Sequence, residues 1–214
     1  MNFKHYKEIK EAKGNADLLI VSKMRSIEEI MAFYNEGERL FGENRSDELV
    51  KKATSLPKDI KWHFISHLQK NKVKQVLPYI FCLESLDSIE LAKEIEKQCI
   101  KIDKRIDALA EFHLATEDEN KTGLNKEDAF SFFEECNFEH INLKGIMLMG
   151  PNTENIDRIK EVFMEGYELF TSLQNKYGKE RITTLSMGMS DDYMIALECG
   201  SNEIRIGSSL FKED

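Results

Sequence analysis

The chain has 214 residues, a length that suits one domain, and 41% of them are hydrophobic, enough for a sizeable core. Thirty Lys and Arg against 39 Asp and Glu leave a formal net charge of −9, which argues against a polyanion such as nucleic acid as partner. No apolar run approaches the ~20 residues of a membrane span, and no apolar signal segment follows the basic residues 1–6. The four cysteines, Cys82, Cys99, Cys136 and Cys199, form no C-x-x-C pair. The expectation is a cytoplasmic protein without membrane, metal or disulfide framework, its thiols buried or half-buried.

The short stretch before the first strand predicts a partial helix at most. Leu18-Leu19-Ile20-Val21 reads as strand one, and Ser26-Ile27-Glu28-Glu29 is a capping-box pattern opening a helix that closes near Gly37. Leu40-Phe41 is strand two, with a helix from about Ser46. Trp62-His63-Phe64-Ile65 is strand three, followed by a basic helix over 69–76 that Pro78 stops. Residues 79–83 form strand four and 88–99 a helix with Ser88 as cap. Residues 106–115 hold strand five, then come a polar loop and a helix after Asn125. Strand six covers 143–149, ended by Gly150-Pro151, and a long helix fills 156–177. Strand seven is 182–185, followed by a helix over 191–199 with Gly200 at its end; Ile204-Arg205-Ile206 is strand eight.

Eight such alternations imply a parallel sheet with helices on its faces. At this length they suit a closed (β/α)8 TIM barrel, one domain over residues 1–214. A doubly wound open sheet is the alternative, disfavoured because eight equal units leave no obvious edge strand.

In such barrels the working residues sit at the C-terminal ends of the strands. Lys23 follows strand one, Asn44 strand two, and Ser66 and His67 strand three. Ser186, Gly188 and Ser190 follow strand seven; Arg205, Gly207, Ser208 and Ser209 end strand eight. The loops after strands seven and eight often hold phosphate through backbone N–H groups, and here both carry Gly and Ser, Ser190 also being placed to cap the following helix. A period of two puts Leu19, Val21 and Lys23 on one face of strand one. An ordinary solvated lysine and a Schiff-base nucleophile are both open for Lys23 on this reading. His63 and His67 bracket strand three without making a metal pair, and Lys70, Lys72 and Lys74 read as a solvated helix face.

Five blocks occur in order: Val21-Ser22-Lys23; Phe41-Gly42-Glu43-Asn44; Trp62-His63-Phe64-Ile65 with Leu68-Gln69-Lys70-Asn71-Lys72; Leu185-Ser186-Met187-Gly188-Met189-Ser190-Asp191-Asp192; and Arg205-Ile206-Gly207. Over about residues 18–211 they resemble the pyridoxal phosphate homeostasis protein (YggS/PROSC) family, whose barrel is similar to the N-terminal domain of alanine racemase. The resemblance implies that Lys23 carries pyridoxal 5′-phosphate (PLP) as a Schiff base. It further implies that Ser186, Gly207 and Ser208 contact the phosphate, that Arg205 faces the pyridine nitrogen, and that Asn44 lies beside the cofactor. Met24, Ser66 and Ser208 depart from the Thr, Gly and Thr usual at those positions.

The function so implied is intracellular PLP homeostasis: PLP is buffered on Lys23 or delivered to PLP-dependent apo-enzymes as clients, by a non-catalytic carrier. An arginine at the pyridine nitrogen weakens the electron sink. The sequence ends soon after Gly207, so the racemase's C-terminal β-domain, with its second base and its dimer contacts, is expected to be missing and the protein monomeric. Two alternatives stay open: a racemase-like PLP-dependent amino-acid enzyme with Lys23 as base, and a barrel enzyme for another phosphorylated metabolite.

Overall fold

The mixed N-terminal stretch forms a full helix, α1 (Phe3–Ala12), not a partial one. It is capped by Asn2, whose side chain accepts the His5 N–H at 2.8 Å, and it buries Tyr6 and Ile9. This is a computed structural model, and it describes residues 1–115 and 122–212.

The alternation read from the sequence then follows: β1 (Asp17–Val21), α2 (Ile27–Asn35), β2 (Leu40–Glu43), α3 (Ser46–Ser55), β3 (Lys61–Phe64), α4 (Val73–Val76), β4 (Ile80–Leu86), α5 (Ile89–Ile102), β5 (Ile106–Phe112), α6 (Ala129–Glu135), β6 (Ile141–Leu148), α7 (Ile156–Tyr177), β7 (Thr184–Ser186), α8 (Tyr193–Glu198), β8 (Glu203–Ile206) and α9 (Ser208–Phe211). The strands pair in parallel in chain order, and β8 closes on β1 with Leu19 beside Arg205, giving a closed barrel. The capping box of α2 is present, Ser26 and Glu29 each bonding the other's backbone.

Several boundaries differ from expectation. The basic helix begins as a 3-10 turn over Lys70–Lys72 before α4. β4 runs past Leu83 through Glu84 and Ser85, with a register shift against β5 between Leu83 and Leu86. β7 is displaced toward Ser186, and the cap of α8 is Asp192, not Ser190. Most of the polar loop expected after strand five lies outside the described residues.

Alternate strand residues face outward. Leu18, Ile20, Phe41, Trp62, Phe64, Ile204 and Ile206 pack with helix residues such as Phe33, Leu49, Ile95, Phe163 and Leu173 in one apolar layer. A much smaller apolar group, Cys82, Leu109 and Met147, lies apart from it on the inner strand faces. The interior also holds many polar groups: His63, Glu84, Glu111, Ser186, Glu203 and Arg205 are all buried. All four cysteines are buried free thiols. No helix among the described residues is long and apolar enough to cross a membrane.

Candidate ligand site at the barrel mouth

Strand one ends at Val21, yet the Ser22 N–H still donates to the Gly42 carbonyl at 2.9 Å, so strand alternation persists past its end. Ser22 is buried toward the helices, and Lys23, the next residue, is exposed. Among the described residues no hydrogen bond or ion pair engages its amine. Val21 lies beside Gly42 of β2, and Ile20 beside Ile206 of β8. That register flanks Lys23 with Asn44 on one side and the loop after β8 on the other.

Two glycines shape this corner. A Cβ on Gly207 would lie 3.1 Å from the Val21 Cβ and 3.3 Å from its carbonyl oxygen, so any larger residue would push the turn after β8 away from β1 by a few tenths of an ångström. Gly188 has φ +97°, and a Cβ there would meet the Ala196 Cβ at 2.6 Å. The Gly188 carbonyl accepts the Arg205 N–H at 2.9 Å, and the hydroxyls of Ser190 and Ser209 meet at 3.3 Å. The two Gly/Ser loops therefore form one joint. The N–H groups of Ser208 and Ser209, in the first turn of α9, have no intrahelical acceptor. Asp192 fastens the other side by accepting the Met189 N–H at 2.6 Å; burial raises its carboxyl above the ordinary value.

Asn44 is half-buried, its side-chain carbonyl oxygen buried without a partner. Its backbone carbonyl accepts the Ser66 hydroxyl at 2.7 Å, so Ser66 ties the end of β2 to the loop after β3. His67 is exposed and pairs with Asp87 at 2.7 Å.

Below the mouth a polar network crosses the barrel. Arg205 donates through Nη1 to the Ser186 hydroxyl at 2.7 Å and through Nη2 to the Leu148 carbonyl at 3.0 Å. Ser186 donates to Glu84 Oε2 at 2.8 Å, and Glu84 Oε1 pairs with His63 Nδ1 at 2.7 Å. Because β4 and β7 are not neighbours in the sheet, the Ser186–Glu84 bond runs through the interior. Burial alone would raise the Glu84 carboxyl, but the hydrogen bond and charge of His63, with Arg205, hold it below the ordinary value. Burial opposes a proton on His63, yet the Glu84 hydrogen bond and the charge of Glu203 raise its pKa. Glu203 is pushed up to about 7 by burial and by the like charge of Glu84. Burial also pushes Glu111 up to about 7; one oxygen accepts from Thr122 at 3.1 Å and the other is buried without a partner.

Lys23, Asn44, Gly207 and Ser208 thus come together at the mouth, with Arg205 beneath them. Ser186 is placed differently: its proton goes to Glu84 and it accepts from Arg205, so it holds the arginine and presents no free hydroxyl to the mouth. Sequence reasoning missed Glu84, Glu111 and Glu203; only for Glu203 was there a usable signal, the period of two that places it on the Arg205 face. His63, Glu84 and Glu203 also bring potential metal-ligand atoms within 4.8 Å of one another, a grouping the histidine spacing did not suggest. There Glu84 already occupies His63 Nδ1, and the Arg205 guanidinium, 3.9 Å from Glu84, supplies positive charge.

The fold is a (β/α)8 barrel of the kind found in alanine racemase. The Clostridium difficile 630 racemase superposes with a TM-score of 0.76 over 98% of this chain and 55% of its own, at 13% identity, a likeness of fold alone. PipY of Synechococcus elongatus matches at 27% identity. Its PLP-bound structure gives a TM-score of 0.84 over 92% of this chain and 93% of its own, and its PLP-free structure 0.90 over 98% of both. A Helicobacter pylori protein named "Pyridoxal phosphate homeostasis protein" is 39% identical over 202 residues, 92% of this chain and 87% of its own. The chain belongs to the pyridoxal phosphate homeostasis protein family. No family model matches it.

Proposed function

We propose that the chain binds PLP at the barrel mouth, holds it on Lys23, and buffers or delivers it in the cytoplasm without turning over a substrate. The observation that carries this reading is the exposed Lys23 amine, unpaired among the described residues, between Asn44 and the Gly207 turn. PLP supplies an aldehyde, which a neutral amine can attack with loss of water to form a C=N bond, and a phosphate monoester. The residues present fit it. Gly207 keeps the turn after β8 close to β1, and the Ser208 N–H, with the joined Ser190 and Ser209 hydroxyls, offers phosphate donors. The Asn44 side-chain oxygen is a buried acceptor in want of a donor. Arg205, held by Ser186 and the Leu148 carbonyl, would face the ring nitrogen as a fixed cation that opposes its protonation, which favours holding over turnover. Relatives named for PLP homeostasis support the carrier reading, and four unpaired buried thiols suit a reducing compartment.

Borohydride reduction of the PLP-loaded protein, followed by peptide mapping, tests the assignment. The pyridoxyl mass is expected on Lys23 and absent in Lys23→Ala; a label on another lysine would overturn it. Exchange of amino-acid α-protons into deuterated water no faster than with free PLP is expected of a carrier, and brisk exchange would favour the enzyme alternative.

A further inference from the structure

We propose that Lys52, with Glu43 and Glu48, forms a buried clamp behind the Lys23 turn that positions this lysine for its cargo; the inference rests on Lys23 being the PLP-bearing residue. Lys52 projects from α3 into the layer between helix and strands and is only 6% exposed. Its ammonium has three donors and all are used: to the Ser22 carbonyl at 2.8 Å, to Glu43 Oε1 at 2.8 Å and to Glu48 Oε2 at 3.2 Å. Glu43 Oε1 also accepts the Ser22 hydroxyl at 2.6 Å, and Glu48 Oε2 accepts the Met24 N–H at 2.8 Å. The residues on either side of Lys23 are thus fixed to the same three side chains.

The backbone shows why a hold is needed here. Met24 has φ +59°, a left-handed conformation that costs a non-glycine residue and persists only where its surroundings enforce it. The Met24–Glu48 bond acts on that residue, and Lys52 acts on Ser22, the other flank. The lysine between them carries no such contact. Its base is fixed while its amine stays free, which is what a group that must meet an incoming aldehyde requires. Burying an ammonium against a carboxylate is a poor way to gain stability. Here the cluster bonds both flanks of the one lysine proposed to act, its one further ion pair among the described residues being Glu48 with Arg45 at 3.6 Å. Lys52 is on this account a positioning residue that touches no cargo.

A role through Lys23 differs from plain structural support in its coupling. PLP would be titrated into the full-length PLP-free protein as wild type, Lys52→Met, Lys23→Ala and the double variant, well below each melting temperature. The lysine-linked absorption band and the affinity by equilibrium dialysis would both be followed. Misplacing a reacting group by about 1 Å can cost on the order of a hundredfold, so Lys52→Met is expected to slow the band and weaken affinity by about tenfold or more. In the Lys23→Ala background the same substitution should leave the residual affinity within about twofold, because the group it positions is gone. Equal loss in both backgrounds, or none in either, overturns the clamp. Where Lys52→Met does not fold, Glu48→Gln, which removes the charge of a half-buried carboxylate bonded to both the Met24 N–H and the Lys52 ammonium, carries the same comparison. Should Lys23→Ala itself keep the band and the affinity, the Lys23 assignment falls and the clamp with it. Should Lys23→Ala lose them while Lys52→Met and Glu48→Gln bind at the wild-type rate, the clamp alone falls.

Discussion

Replacing Glu203 by Gln should stabilise the barrel at pH 8 and do little at pH 5. The residue is 4% exposed, has one carboxylate oxygen with no partner, and lies near the negative charge of Glu84, so its carboxyl is pushed up to about 7 against an ordinary 4.5. Folded, it binds its proton more tightly than unfolded. Its contribution to stability is therefore complete below about pH 4.5 and is lost as the pH rises through about 7. The gap between those two values corresponds to a penalty on the order of 3 kcal/mol at pH 8. A carboxamide of the same shape cannot ionise and escapes it. For a chain of this size that is a rise in melting temperature on the order of 10 °C. Urea denaturation of wild type and variant at both pH values, with calorimetry beside it, measures the difference. A variant that loses stability at pH 8, or gains as much at pH 5 as at pH 8, would show that the ionised carboxylate is welcome inside the barrel and that the electrostatic reasoning is wrong.

Ser186→Ala should cost roughly 1–3 kcal/mol, because Arg205 Nη1 and Glu84 Oε2 each lose a buried partner, read as a lower urea midpoint with an unchanged slope. Gly188→Ala should destabilise by roughly 1–3 kcal/mol and speed the loss of PLP on dialysis, since alanine must adopt φ +97° against Ala196. Lys23→Ala should stay within about 0.5 kcal/mol of wild type in the absence of PLP, as expected for an exposed side chain with no observed partner; a larger loss would mean that the lysine supports the fold.

The barrel was legible in the sequence because its outward-facing residues obey simple rules. Leu18 and Ile20, or Ile204 and Ile206, are apolar wherever a strand meets a helix, and Ser26 with Glu29 marks a helix start without ambiguity. The interior follows no such rule. Glu84 and Ser85 read as the end of a strand, yet β4 runs on to Leu86, since inside this barrel a carboxylate finds His63, Ser186 and Arg205 as partners. α1 was under-read because only Tyr6 and Ile9 of its ten residues are buried, too sparse a stripe to stand out. The mouth was legible in part. Lys23 and the two Gly/Ser loops could be placed by strand order, but the partner of the Ser186 hydroxyl lies 102 residues away in Glu84, and no local pattern reports a contact at that range.

Most buried apolar side chains lie between strands and helices, while the lumen holds ionisable ones. Temperature and pH therefore weigh differently on the two layers of the same barrel. The heat capacity of unfolding scales with apolar surface, so the curvature of stability with temperature belongs to the outer shell. A large share of the dependence on proton activity arises in the lumen, through Glu203, Glu111 and His63, with Glu43 and Asp192 adding to it from outside. Substitutions among those three lumen groups can move the pH optimum of the scaffold while its thermal profile keeps its shape, and adaptation to more acidic or more alkaline surroundings is open to this barrel without repacking its shell.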